Sequence, residues 1–170
     1  MQKENYLRRE RIADFSILKF LVCVLGTMVA AYVSNYLSKI RIGYNFITPT
    51  WTPDESLIML GWALCAVLTG WSLYLVVQRR CPTKTEKNCK LLYVSLWIVN
   101  AVLAFAWPII LLTMTKIAVS FVLIAVLDGV VTALFISALR LRATSAILLL
   151  PYLSAILIAT YFNLQVIMLN

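Results

Sequence analysis

Five apolar runs, each about as long as a bilayer is thick, constrain this chain more than any other feature. They extend from about Phe15 to Leu37, Leu57 to Val77, Leu91 to Met114, Ile117 to Leu139 and Ala146 to Leu169. A helix rises about 1.5 Å per residue, so about 20 apolar residues cover the hydrocarbon core. Composition agrees, with 62% hydrophobic and 13% charged residues, where a soluble domain carries roughly 45–50% and 25%. A backbone in lipid must satisfy its own hydrogen bonds, and runs this long without alternating polarity suit helices rather than barrel strands. The predicted fold is an all-α membrane bundle of five transmembrane helices, forming one domain over residues 1–170. The first run follows an Arg-rich stretch, as in a signal peptide. It is longer than an h-region and lacks a small-residue cleavage pattern, so residues 1–170 are expected to be the mature chain.

Cations set the expected orientation. Lys3, Arg8, Arg9, Arg11, Arg79, Arg80, Lys84, Lys87, Lys90, Arg140 and Arg142 fall on the amino-terminal side of the membrane, against Lys39, Arg41 and Lys116 on the other. Lys19 can snorkel from within the first helix. The positive-inside rule then places the amino terminus in the cytoplasm and the carboxyl terminus outside. The net charge of +8 is thereby explained by topology and anionic headgroups rather than by nucleic-acid binding. The expected location is a bacterial cell membrane.

Several chemistries are absent. The chain has no histidine, which removes imidazole metal sites and His-activated nucleophiles. Cys23 and Cys65 lie inside apolar runs as small packing residues, and Cys81 and Cys89 share a polar loop without zinc-knuckle spacing. All four read as free thiols or packing groups, and no catalytic set, metal or cofactor is expected. Asp128 is the one carboxylate deep in a span. It is either a proton or cation site, or a neutral acid hydrogen-bonded to a neighbouring helix.

Small residues recur every fourth position at Ala125, Gly129, Ala133 and Ser137, and at Gly26, Ala30 and Ser34. Both stripes permit close helix approach, inside the monomer or across a homodimer. Between the first two helices, at about residues 38–56, lies a lid-like loop containing Tyr44-Asn45-Phe46-Ile47-Thr48-Pro49-Thr50-Trp51-Thr52-Pro53. Pro49 and Pro53 bracket Trp51 and fix an extended turn at the entrance of the second helix. Tyr44 and Phe46 suit either a lid or an interfacial anchor.

These residues resemble the TspO/MBR family, the tryptophan-rich sensory proteins that include the mitochondrial translocator protein or peripheral benzodiazepine receptor. The family's Pro-Ser-Trp-Thr-Pro motif is similar to Pro49-Thr50-Trp51-Thr52-Pro53. Trp62, eleven residues on, matches its second tryptophan, and Gly70 and Tyr74 match the Gly and Tyr that follow. Asn100 stands seven residues before Trp107, as a polar amide does in the family. Leu150-Pro151-Tyr152-Leu153, Ala159-Thr160, Asn163, Leu169-Asn170 and the preceding Arg140 also fall at family spacing. Departures are Ala104 for an Asn, Ala155 for an aromatic, and Ile167-Met168 for Trp-Arg. No Lys or Arg follows Arg142, so the cholesterol-recognition pattern cannot be written in the last helix.

The resemblance implies binding of porphyrins and other tetrapyrroles, with sterol-like ligands placed in doubt by those departures. A hydrophobic small molecule, membrane lipids and a second copy of the chain are the partners in view. Aromatic rings suit a planar apolar ligand, so Trp51, Trp62, Trp107 and Tyr152 are expected to hold it, with Ala159 beside them and Asn100 or Asn163 fixing its polar edge. Trp62 and Trp107 would otherwise face lipid or pack the bundle. Binding as a sensor or regulator, or in ligand transport, is the favoured role. Light-dependent porphyrin breakdown through Trp51 and Trp62, and small-molecule efflux using Asp128, are the alternatives.

Overall fold

The computed structural model describes residues 16–39 and 47–170. The amino-terminal charges from Lys3 to Arg11, and Arg41, Tyr44 and Phe46, lie outside the described residues. Five helices follow in order: α1 (Ile17–Lys39), α2 (Glu55–Val77), α3 (Lys84–Pro108), α4 (Ile117–Leu141) and α5 (Ala143–Leu169). All five are long and apolar enough to cross a membrane, as expected from the apolar runs.

Polarity is inverted relative to a soluble protein. Leu18, Val22, Leu60, Leu91, Val102, Val122, Ile147 and Ile158 face outward, whereas Ser72, Asn100, Ser120, Ser145 and Asn163 are buried. Lipid replaces water around the perimeter, so the apolar side chains need no cover. Polar groups find their partners only inside.

Around the bundle the neighbours run α1, α2, α5, α4, α3, with α3 returning to α1. Helix ends explain where each span starts. Thr83 and Glu86 form a capping box, with Glu86 N–H donating to Thr83 Oγ1 at 3.2 Å and Thr83 N–H to Glu86 Oε2 at 3.4 Å. Glu86 also pairs with Arg79 at 2.8 Å, and Lys90 Nζ donates to the Arg79 carbonyl at 2.9 Å. This polar turn therefore extends α3 to Lys84, seven residues before the apolar run begins at Leu91. At its other end α3 meets Pro108, which has no N–H, and passes into a π-helical turn at Ile109–Thr113. Thr115 then takes a left-handed φ of 52° before α4 starts. A single extended residue, Arg142, joins α4 to α5.

The two ends of the bundle are packed differently. Near the basic turn, Leu73, Val76, Tyr93, Leu134, Ala138, Leu141, Ala146 and Leu149 form a closed apolar cluster. A buried hydroxyl set ties α2, α3 and α5 together beside it. Ser72 Oγ donates to the Ser145 carbonyl at 2.9 Å and accepts from the Tyr93 hydroxyl at 2.7 Å. Ser145 Oγ returns a bond to the Ser72 carbonyl at 3.1 Å. Ser72→Ala is expected to cost about 1–3 kcal/mol by removing the hydroxyl that bonds both Tyr93 and Ser145 in a buried set. The Ser72→Ala/Tyr93→Phe pair should recover most of that loss, because both polar partners then disappear together. Melting temperatures in detergent check this, and equal losses in the single and double variants would contradict the coupling.

Close approach of helices occurs at Gly70. A Cβ there would lie 2.6 Å from Thr27 Oγ1, 2.8 Å from the Cys23 carbonyl oxygen and 2.8 Å from Val24 Cα. Gly26 and Gly129, the glycines of the two small-residue stripes, have nothing within 4 Å of such a Cβ. Neither of them serves packing among the described residues. Both lie on the outward surface.

Candidate functional site

The helices line a partly open cavity of about 100 Å³. α2 contributes Trp62, Cys65, Ala66 and Thr69, α3 contributes Trp97, Asn100, Ala104 and Trp107, and α5 contributes Tyr152 and Ile156. Leu127 of α4 closes one side, and α1 supplies a wall of small side chains from Thr27, Ala30, Ala31 and Ser34. Each set follows helical spacing from an anchor. Cys65, Ala66 and Thr69 share the face of Trp62, and Ile156 stands one turn beyond Tyr152.

Three aromatic rings converge. Trp62 lies 6.2 Å from Trp107 and 6.4 Å from Tyr152 between ring centroids, tilted by 50° and 70°. These angles leave edges and faces at different inclinations to one space, as aromatic clusters prefer. Tyr152 O–H donates to Asn100 Oδ1 at 2.9 Å, and both residues are buried. The other hydroxyls in the wall turn back on the backbone. Thr27 Oγ1 donates to the Cys23 carbonyl and Thr69 Oγ1 to the Cys65 carbonyl, and Ser34 Oγ donates to the Phe105 carbonyl at 2.9 Å. Among the described residues, no Lys, Arg, Asp or Glu lines the cavity.

The expected ligand residues are thus divided. Trp62, Asn100, Trp107 and Tyr152 come together around the cavity; Trp51, Ala159 and Asn163 do not line it. Trp51 lies over the end of α5, where its Nε1–H donates to Gln165 Oε1 at 3.1 Å and its ring stacks on Tyr161 at 5.7 Å. Its brace is lopsided, with Pro49 buried and Pro53 exposed. The loop is latched by Asn170, whose amide accepts from Ile47 N–H at 2.8 Å and donates to the Ile47 carbonyl at 3.0 Å. Asn163 is fully buried and spent on α4, since its Nδ2–H donates to Ser120 Oγ at 3.0 Å. Ala159 packs against the apolar core beside the cavity.

Asp128 belongs to the α4–α5 seam. Thr160 Oγ1 donates to its Oδ2 at 2.7 Å, and its Oδ1 is buried without a hydrogen bond among the described residues. Of the two expectations for this residue, a bond to a neighbouring helix is what the geometry displays. Cysteines are free thiols at all four positions, and no cluster of metal-ligating residues occurs among the described residues.

Sequence reasoning missed Cys65, Ala66, Thr69, Trp97, Leu127 and Ile156 as wall residues. The helical period counted from Trp62, Trp107 and Tyr152 reaches most of them.

Fold and cavity together define a five-helix integral, multi-pass membrane protein with an aromatic-walled space inside the bundle. The profile of the TspO/MBR family matches residues 19–169, and the chain belongs to that family. No curated protein sequence matches the chain as a relative.

Proposed function

We propose that this protein binds a planar apolar ligand of the porphyrin or tetrapyrrole class within the bundle, acting as a sensor or regulator or in ligand transport. The observation that carries this reading is the convergence of Trp62, Trp107 and Tyr152 on one apolar cavity, with the Asn100 amide at its edge. Aromatic walls bury a flat ring system, and a single amide orients it.

Size adds a condition. About 100 Å³ is comparable with cavities that hold one aromatic ring, so a macrocycle requires a wall to move. The α1 wall is the one built of small side chains, and α1 faces lipid along most of its other surface. Entry from the bilayer past α1 therefore fits both the ligand's solubility and the packing. Trp51, Pro49 and Pro53 serve in this reading as a cap on the end of α5 rather than as a wall of the cavity. The basic turn at Arg79, Arg80, Lys84 and Lys87 faces the cytoplasm, by the positive-inside rule.

Titration of the protein in nanodiscs with protoporphyrin, followed by tryptophan fluorescence, tests the reading. Saturable quenching is expected, with an unchanged Kd in Trp51→Phe and a weaker one in Trp107→Phe. Quenching that never saturates, or a Kd indifferent to Trp107→Phe, would overturn it.

A further inference from the structure

One end of the bundle carries more positive charge than the chain itself neutralises. The α2–α3 turn and the α4–α5 elbow lie at that end, and Glu86 is the one acid there among the described residues. Glu86 is engaged with Arg79 at 2.8 Å and with the cap of α3, and Lys90 Nζ donates to the Arg79 carbonyl at 2.9 Å. Arg80, Lys84, Lys87, Arg140 and Arg142 remain. All are exposed, and among the described residues none of these side chains has a hydrogen-bonding or ion-pair partner.

Their placement adds to the charge rather than relieving it. Lys84 and Lys87 stand one turn apart at the start of α3, where free backbone N–H groups already make a helix end positive and like charges at i, i+3 repel. Arg142 sits at the start of α5, which is unfavourable for the same reason. Of the cations that remain, Arg140 in the last turn of α4 suits its helix. An anion from outside the chain relieves the others together.

The two connections are brought side by side. Tyr93, near the start of α3, joins Ala138 and Leu141, at the end of α4, in one apolar cluster, so the Lys84–Lys87 and Arg140–Arg142 pairs flank a common seam. Packed helix axes lie about 8–10 Å apart, which is wider than one phosphate but within reach of two linked phosphates for side chains as long as Lys and Arg. The guanidinium fork matches phosphate oxygens, and the ammonium adds a point charge.

Depth selects a lipid as the source of those phosphates. Lys84 precedes the apolar run at Leu91 by seven residues, about 10 Å at the helical rise, which reaches through the headgroup layer. Beneath the cations Leu91, Leu92, Leu139 and Ile147 are exposed, so acyl chains joined to the same headgroup have an apolar surface to lie on.

We propose that the α3–α4 seam at this end binds an anionic phospholipid whose headgroup carries two phosphates, one held by Lys84 and Lys87 and the other by Arg140 and Arg142. The site is independent of the cavity reading, because Trp62 and Trp107 stand toward the opposite end of their helices.

Native mass spectrometry of the full-length protein, released from phosphatidylcholine nanodiscs doped with diphosphatidylglycerol or with phosphatidylglycerol at matched total charge, tests this. Wild type is expected to retain one diphosphatidylglycerol per chain and to bind it roughly thirtyfold more tightly than phosphatidylglycerol. A single phosphate engages one pair of cations, and each cation near an anionic headgroup is worth about a factor of five. Lys84→Gln/Lys87→Gln and Arg140→Gln/Arg142→Gln should each bring the two-phosphate lipid down to the affinity of phosphatidylglycerol, while Lys116→Gln, at the other end, leaves it unchanged. Equal binding of the two lipids by wild type would reduce the patch to diffuse attraction and overturn the site. Loss in one double variant but not the other would overturn the bridging of the two connections. Displacement of the lipid by inorganic pyrophosphate would make a soluble anion the ligand and overturn the lipid assignment.

Discussion

Gly70→Val is expected to separate α1 from α2 and to lower the melting temperature in detergent more than the same substitution at Gly26, Gly61 or Gly129. Even the first carbon of the new side chain would stand 2.8 Å from two backbone atoms of α1, the Cys23 carbonyl oxygen and Val24 Cα. A flexible side chain could turn aside, but backbone can yield only if the helix moves. Overpacking of a well-filled contact costs about 1–3 kcal/mol, and here the cost comes with displacement of the α1 wall of the cavity. Cys23, half-buried at the same crossing, reports the movement directly. Its alkylation by a membrane-permeant maleimide should be faster in Gly70→Val than in wild type, measured with the other three cysteines replaced by alanine. Gly129→Ala is the control, because nothing lies within 4 Å of its added carbon. Equal melting temperatures for the two variants would refute the close crossing at Gly70.

Trp62→Ala is expected to give the largest loss of ligand affinity, roughly tenfold or more for protoporphyrin. Trp62 contacts two other aromatic wall residues, Trp107 and Tyr152. Its removal takes away the face on which a flat ligand lies and also frees its two neighbours to reorient. An aromatic pair is worth about 0.5–1.5 kcal/mol beyond the area it buries, and aromatic anchors at the centre of a binding site dominate its energetics. Trp62→Phe should restore most of the affinity, since a smaller ring still offers a face. Displacement of a bound porphyrin, followed by its absorbance, measures both. Affinity unchanged by Trp62→Ala would place the ligand elsewhere on the protein.

The fold was legible because a bilayer imposes a length on each span, and apolar runs display that length openly. Where the sequence-based reading fell short, helices continue past the apolar residues into water. Lys84 to Lys90 form the first turns of α3 through the Thr83–Glu86 capping box and the Arg79 pairing, and hydropathy counts none of them. The break at Pro108 takes the form of a π turn, a choice set by packing that a proline alone does not specify.

The candidate site was legible in its aromatic part and opaque in its small residues. Trp62, Trp107, Tyr152 and Asn100 carry a chemical identity that invites a role. Ala30, Ala31 and Ala66 carry none, and they become walls only because α1 returns beside α3. Asn163 illustrates the converse. Its amide suggests a ligand contact, but Ser120 of α4 takes up the amide at 3.0 Å and 3.1 Å, a pairing across 43 residues of sequence. Trp51 is similar: its prolines restrain the backbone, while Gln165 and Tyr161 beneath the ring decide where it rests.

The Ser72–Tyr93–Ser145 set has a mechanical consequence. It cross-braces α2, α3 and α5 at the end of the bundle that carries the basic turn, beside a closed apolar cluster. The far halves of the same helices surround a cavity and are closed by a loop held through Asn170 and Trp51. Three of the five helices are thus tied to one another by side-chain hydrogen bonds at one end, and the cavity lies between their other halves. On the proposed binding reading, a guest that spreads the helices is expected to move the capped end more than the braced end.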